Sequence, residues 1–191
     1  MPHSAAVRRA RTHARDGQRS TSESMNFEEA DKLVDFGFCG GETIARLQST
    51  CACAEVPERR GVYLVARRSR KPVRFLAKST GGKFKQRDPT VEEHQLRTRW
   101  LAAPVVLYVG KAGATDQATS LRARLHAYMQ FGLGRPCAHW GGRYIWQLAD
   151  ARELLVFWKV TPRVEPKAAE SRLLSEFHGV YGQLPFANLR R

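Results

Sequence analysis

Residues 61–66 read GVYLVA and residues 105–111 read VVLYVGK, and these two apolar runs decide the fold. Apolar side chains fill consecutive positions in both runs, which predicts strands buried on both faces. The first strand is expected over residues 61–66 and the second over residues 105–109. A third run, LLVFWKV at residues 154–160, predicts another strand that ends before Pro162.

Periodic apolar residues predict helices around these strands. Residues 120–130 form one candidate helix with Ser120 at its N-cap, and residues 166–179 form another with Pro166 in its first turn. A short helix is predicted over residues 42–47. Together the elements predict an α+β fold, in which helices flank a small three-stranded, mainly antiparallel sheet.

Composition divides the chain into segments. Residues 1–24 contain almost no large apolar side chains and carry five arginines, so we expect a disordered basic tail. Their Arg- and Ser-rich composition also resembles an organellar transit peptide, and Met25, which opens the first apolar pattern, is an alternative start. Residues 25–60 are expected to pack as an extension on a core formed by residues 61–191. A long basic insertion at about 67–104 separates the first two strands.

The chain is strongly basic, with a net charge of +14 and a sequence pI of about 10.3. Clustered Lys and Arg bind phosphates with release of counterions, so a nucleic acid is the expected partner. The alternative is a basic surface without a partner. Between residues 61 and 87 lie nine basic side chains and no acidic one. This candidate nucleic-acid-binding set, called the basic block below, comprises Arg67, Arg68, Arg70, Lys71, Arg74, Lys78, Lys83, Lys85 and Arg87.

Other composition features narrow the functional classes. The four cysteines lack the paired spacing of a zinc finger, so reduced thiols in the cytoplasm are favoured over a structural zinc site or a disulfide framework. No apolar run approaches the ~20 residues that span a bilayer, and no membrane association is expected. The histidines form no H-E-x-x-H cluster, and no phosphate-binding P-loop is present.

A glutamate lies on the apolar face predicted for the last helix. Leucines and a phenylalanine follow Glu170 at three, four and seven positions, so its side chain should face the core. An ionised carboxylate there needs a cation as its partner. Either a divalent metal ion or a neighbouring cation, Lys111 or Arg124, would serve.

These residues, in this order, resemble the GIY-YIG nuclease family over residues 61–191. Gly61-Val62-Tyr63 and Tyr108-Val109-Gly110 correspond to the two tripeptides that name the family. The resemblance implies a metal-dependent endonuclease that hydrolyses DNA phosphodiester bonds and leaves a 5′-phosphate and a 3′-hydroxyl. The long gap between the first two strands departs from the compact members of the family, although restriction-enzyme members tolerate insertions there.

The resemblance also implies roles for single side chains. Glu170 would hold one Mg²⁺ or Mn²⁺ ion, which keeps several waters and takes further ligands from phosphate. Tyr63 would orient or deprotonate the attacking water, and Arg124 would clamp the scissile phosphate. The alternatives are a core glutamate paired with a cation, a core tyrosine and an exposed helix arginine, with Arg122 as the rival phosphate ligand.

Four further residues complete the candidate site. Tyr108, Lys111 and Tyr128 would complete the shell around the phosphate, and some relatives carry His where Tyr128 stands. Asn188 would brace the site by hydrogen bonds, although it lies 18 positions after Glu170, a longer gap than in the bacterial excision-repair relative. A surface asparagine is the alternative.

Two other classes of function remain beside the nuclease. A non-catalytic nucleic-acid-binding module on the same fold would use charge and aromatic residues equally well. A protein-interaction domain would turn its basic face to an acidic partner. RNA remains an alternative to DNA. The aromatic, Gly-rich segment 138–146 fits either a binding loop or a packed turn, and we favour the turn.

Overall fold

The computed structural model describes residues 25–49, 53–113, 119–137 and 139–190. The predicted disordered tail, residues 1–24, lies outside the described residues. In chain order the elements are a 3₁₀ helix Ala30–Phe36, β1 (Cys39–Thr43), α1 (Ile44–Leu47), β2 (Gly61–Ala66), α2 (Glu93–Arg99), β3 (Val106–Ala112), α3 (Leu121–Gly132), 3₁₀ helices Arg143–Gln147 and Ala151–Glu153, β4 (Leu155–Val160) and α4 (Pro166–Tyr181).

The strands form one antiparallel sheet in the order β1-β4-β2-β3. Tyr63 in β2 lies opposite Gly110 in β3 and Trp158 in β4. The predicted α+β class is confirmed, and the three predicted strands form the part β4-β2-β3 of this sheet. Because β3 extends to Ala112, Lys111 lies in a strand rather than in the loop that follows it.

The prediction of three strands is wrong in number, because β1 adds a fourth strand at the sheet edge. Its sequence CGGET shows no apolar alternation, and the helix predicted over residues 42–47 begins only at Ile44. Gly40 has a φ of 92°, and a Cβ atom there would lie 2.5 Å from the Trp158 ring. Glycine therefore lets β1 pass over Trp158, a requirement that hydrophobic periodicity does not report.

Helix boundaries follow the capping residues. The Ser120 side chain accepts a hydrogen bond from Ala123 N at 3.2 Å, so the predicted N-cap of α3 is confirmed. Pro166 begins α4 as predicted. The predicted end at Gly179 is wrong, because α4 continues to Tyr181 and ends where Gly182 adopts a φ of 70°.

The sheet separates two hydrophobic clusters. One face carries Tyr63, Tyr108 and Trp158 and packs against α3. The other face packs against α4 and the N-terminal extension, where the rings of Phe27 and Phe177 lie 5.1 Å apart in an edge-to-face arrangement. Each buried aromatic side chain contributes about 1.5–3 kcal/mol through removal of apolar surface from water.

The insertion between β2 and β3 is held to the core rather than formed as a plain loop. It contains α2, whose Leu96 is fully buried. The buried side chain of Gln147 accepts from Val91 N at 3.0 Å and donates to Leu76 O and Val91 O. No helix in the described part of the chain combines the length and apolar character that crossing a membrane requires.

Candidate active site

Strands β2 and β3 and helix α3 bring three tyrosines together. The ring centroids of Tyr63 and Tyr108 lie 5.9 Å apart, and Tyr128 lies 6.3 Å from the first and 5.8 Å from the second. Tyr63 and Tyr128 are fully buried, whereas Tyr108 retains 6% exposure. The candidate tyrosines, which are far apart in sequence, therefore form one cluster on the α3 side of the sheet.

All three phenols are held in their protonated form. Burial raises the pKa of Tyr63, and the positive charge of Arg124 with hydrogen bonds from Tyr108 and Arg124 opposes this only in part. Burial also raises the pKa of Tyr108 and Tyr128 well above the ordinary value. Tyr63 is thus suited to orient a water by hydrogen bonding, and it is not a phenolate at neutral pH.

Arg124 contributes a cation with an unused donor to this cluster. Its half-buried side chain comes from α3, one turn before Tyr128, and its Nε makes no hydrogen bond within the described ranges. Arg122, the rival arginine, donates instead to Val56 O and Ala54 O, each at 2.8 Å. A buried guanidinium donor without an acceptor is costly. An anionic ligand would supply the acceptor that Arg124 lacks.

Glu170 on α4 forms an ion pair with Lys111 on β3. The Glu170 side chain is 17% exposed, and its Oε2 accepts from Lys111 Nζ. The structure therefore supplies one of the cations expected as a partner for this carboxylate. One such carboxylate suits a hard divalent ion whose other ligands are water and phosphate.

The described residues include no cluster of three or more His, Cys, Asp and Glu side chains that could hold a metal ion. The described residues therefore offer an ion at Glu170 no complete set of protein ligands. This fits Mg²⁺, which keeps several waters and is held by one or two carboxylates together with substrate phosphates. It does not fit a structural zinc site, which needs four protein ligands.

A cleft of about 720 Å³ joins four of the candidate residues, namely Tyr108, Lys111, Glu170 and Asn188. Arg87 from the basic block also lines it, together with Arg143 and Arg190, which were not predicted as site residues. Among the described residues, four cationic side chains therefore line this cleft together with one carboxylate. Such a charge distribution is suited to a phosphodiester backbone.

Asn188 supports the strand that carries Tyr108. Its Oδ1 accepts from Val109 N and its Nδ2 donates to Val109 O, both at 2.8 Å. Since β3 is an edge strand, this amide satisfies backbone groups that the sheet leaves unpaired. Asn188 is 6% exposed and is therefore not a surface residue. Arg99 donates to Asn188 O at 2.6 Å and ties α2 to the same segment.

The basic block divides into two groups. Arg67 is 8% exposed, and its guanidinium donates to Asp150 Oδ2 at 2.6 Å and to two backbone carbonyls. Arg68 pairs with Asp31, and Arg70 donates to Ala103 O and Glu28 O. Protein atoms thus engage these three arginines, and Arg67 lies inside the fold. The remaining members are Lys71, Arg74, Lys78, Lys83, Lys85 and Arg87, and every member of the block except Arg67 is exposed.

His139 is a member of the cluster that the sequence did not single out. It is fully buried, its ring stacks on Tyr128 at 4.2 Å, and its Nε2 lies 3.5 Å from Tyr63 Oη. Burial lowers the pKa of His139 well below its ordinary value, and the charge of Arg124 lowers it further. The aromatic, Gly-rich sequence around His139 predicts only a packed turn. No regular spacing in the sequence relates His139 to Tyr63.

Comparisons with known proteins do not assign this site. No family model, curated protein or solved structure matches the chain. Function is therefore inferred from the residues and their arrangement.

Proposed function

We propose that this protein is a metal-dependent endonuclease that hydrolyses DNA phosphodiester bonds by a GIY-YIG-type mechanism. One observation carries the proposal: Tyr108, Lys111, Glu170 and Asn188 line one basic cleft, and Tyr108 packs there against Tyr63 and Tyr128. Burial has the largest effect on the pKa of Tyr63 and of Tyr108, but Arg124 lowers both and Glu170 raises both. Mutually coupled titratable groups beside a basic cleft are typical of a catalytic site.

Binding of the substrate phosphate would use the cations of the cleft. Lys111, Arg87 and Arg143 line it and attract a polyanionic backbone. The Arg124 guanidinium would then donate to oxygens of the scissile phosphate, since its planar fork matches them and its Nε has no acceptor within the described ranges. Donors placed where negative charge develops stabilise the transition state.

The attack on phosphorus would use a water held by the Tyr63 hydroxyl. The water oxygen forms a bond to phosphorus and releases one proton to solvent, while the bond from phosphorus to O3′ breaks and O3′ takes up a proton from solvent. The products then carry the 5′-phosphate and 3′-hydroxyl that the family resemblance implies. Because the phenol is protonated at neutral pH, Tyr63 acts in this scheme as a hydrogen-bonding group that orients the water.

Glu170 is the residue that would hold Mg²⁺ or Mn²⁺. When bound, such an ion neutralises charge that develops on the phosphoryl oxygens and lowers the pKa of a coordinated water. The ion pair with Lys111 holds the Glu170 carboxylate in place in the cleft. Lys111 is also the cation that would turn toward the phosphate if the carboxylate took a metal ion.

A non-catalytic nucleic-acid-binding module is the second candidate. It is favoured by the same ion pair, because Lys111 already neutralises the Glu170 carboxylate. Such a module would bind DNA through the exposed members of the basic block with strong salt dependence. It would need neither a metal ion nor the Tyr63 hydroxyl.

Supercoiled plasmid separates the two candidates. We expect the purified protein to nick or linearise it with Mg²⁺ and to leave it intact in chelator. Tight, salt-sensitive binding without cleavage would favour the binding module, and a matched RNA substrate would decide between DNA and RNA.

We also propose a reducing, cytoplasmic setting, because the described cysteines, Cys39, Cys53 and Cys137, are free thiols.

A further inference from the structure

His139 is a buried titratable group that the proposed mechanism leaves unused. The groups that act on it are Tyr63 from β2, Tyr128 and Arg124 from α3, and the backbone of Gly141. Within the described ranges, no carboxylate pairs with the ring, and Nδ1 makes no hydrogen bond. A histidine kept only for packing would be exchangeable for an aromatic ring of similar size. The position of Nε2 indicates a more specific role.

The hydrogen bonds of the Tyr63 hydroxyl determine where its proton goes. A phenolic oxygen has one proton to donate and two lone pairs to accept with. Arg124, the charged neighbour of this hydroxyl, carries only donors and cannot accept the proton. His139 Nε2 can accept it when it carries no proton of its own, and it lies 3.5 Å from Tyr63 Oη. This is the long limit of a hydrogen bond, a spacing that often shortens when substrate completes a site.

We infer that His139 is a positioning residue for Tyr63, whose hydroxyl proton its Nε2 accepts so that a lone pair of Tyr63 Oη faces the attacking water. Because that water belongs to the proposed cleavage step, this role rests on the proposed function. A nucleophilic water must keep a lone pair for phosphorus and give a proton to its orienting group. If the Tyr63 hydroxyl donated to the water instead, it would occupy the lone pair needed for attack.

Arg124 connects this arrangement to substrate binding. Its charge acts on both Tyr63 and His139, and its Nε has no acceptor within the described ranges. A phosphate bound by this guanidinium would lie beside the Tyr63 hydroxyl, where a lone pair is available for the water while His139 holds the proton.

A double-mutant cycle on plasmid cleavage tests this role. His139→Phe keeps a flat ring against Tyr128 but removes Nε2, and we expect an about 100-fold loss of rate, as for a misoriented reactant. In a Tyr63→Phe background the same change should cost nothing further. His139→Gln, whose amide oxygen can accept the proton, should recover most of the rate, and His126→Phe on the exposed face of α3 should cleave normally. Losses that add in the double variant would overturn the proposal.

Nitrogen NMR of the His139 ring gives a readout that does not depend on cleavage. We expect a neutral ring that carries its proton on Nδ1 at neutral pH, with an Nε2 resonance that moves in Tyr63→Phe. A proton on Nε2, or a resonance indifferent to Tyr63→Phe, would contradict the proposal even if His139→Phe fails to fold. If the wild type cleaves no DNA, the proposed function fails, while the NMR result still decides whether His139 orients the hydroxyl.

Discussion

Gly110 leaves the space in which the Tyr63 ring lies. The two residues are paired across β3 and β2, and a Cβ atom on Gly110 would lie 2.4 Å from Tyr63 Cζ and 2.6 Å from Tyr63 Oη. No side chain fits there without displacing the tyrosine. The glycine of the second tripeptide therefore sets the position of the tyrosine of the first.

Gly110→Ala should destabilise the protein by about 1–3 kcal/mol, because the new methyl group overpacks the site and displaces the Tyr63 ring. The rate of DNA cleavage by Gly110→Ala should fall as well. The matched control is Gly179→Ala in α4, where an added Cβ meets nothing within 4 Å. There the substitution should stabilise the folded state by about 0.5–1 kcal/mol, because a helix favours alanine over glycine. Urea unfolding measures both, and equal effects of the two changes would refute the packing argument.

Acid should destabilise the fold through His139. Burial and the Arg124 charge hold the pKa of His139 in the folded state well below its ordinary value, so the unfolded chain binds a proton first. The stability that the neutral ring contributes is fully present above the unfolded pKa of about 6.5 and is lost as pH falls below it. The loss amounts to at most about 1.4 kcal/mol per pH unit.

His139→Gln should flatten this acid limb of the unfolding free energy, because the amide does not titrate. His126→Gln is the control, since His126 is exposed. Denaturant unfolding between about pH 7 and 5 makes the comparison. Parallel curves for wild type and His139→Gln would show that His139 is not the group responsible.

Removal of the Asn188 amide should weaken β3. Asn188→Ala leaves Val109 N and Val109 O without their partners, at a cost of about 1–3 kcal/mol for buried groups. Asn26→Ala, which removes solvent-exposed hydrogen bonds, should cost less. Thermal denaturation measures the difference. A smaller loss for Asn188→Ala would mean that solvent reaches Val109.

Arg87 should contribute to DNA binding through its place on the cleft. Arg87→Ala should weaken binding and reduce the slope of log affinity against log salt by about one, the change expected for one lost phosphate contact. Lys32→Ala removes an equal charge from the exposed face of the 3₁₀ helix Ala30–Phe36 and should leave the slope unchanged. Equal effects would assign the binding to net charge rather than to the cleft.

Much of this sheet is predictable because buried strands appear in sequence as consecutive apolar residues. Residues 61–66, 105–109 and 154–160 meet that condition, and each predicted strand agrees with the observed one within three residues at its ends. Strand β1 contains no such run of apolar residues. Its path depends instead on a glycine that lets the backbone pass close to Trp158. The α2 helix escaped prediction because its exposed side chains are mostly polar and only Leu96 is buried.

Some residues of the candidate site could likewise be predicted from the sequence, and others could not. Glu170 could be singled out because a carboxylate on an apolar helix face needs a cation, and the structure provides Lys111. The preference for Arg124 over Arg122 could be argued only from family resemblance until the free Nε of Arg124 was seen. His139 could not be found, because its contact with Tyr63 spans 76 positions and leaves no periodic trace.

The most direct test of the central claim compares plasmid cleavage by wild type, Glu170→Gln and Glu176→Gln. Both substitutions remove one carboxylate from α4, but Glu176 pairs with Arg172 away from the cleft. We predict nicking or linearisation by wild type and Glu176→Gln only with Mg²⁺ or Mn²⁺, and none by Glu170→Gln at equal DNA binding. Metal-independent cleavage, or cleavage by Glu170→Gln at the wild-type rate, would contradict the proposed nuclease mechanism.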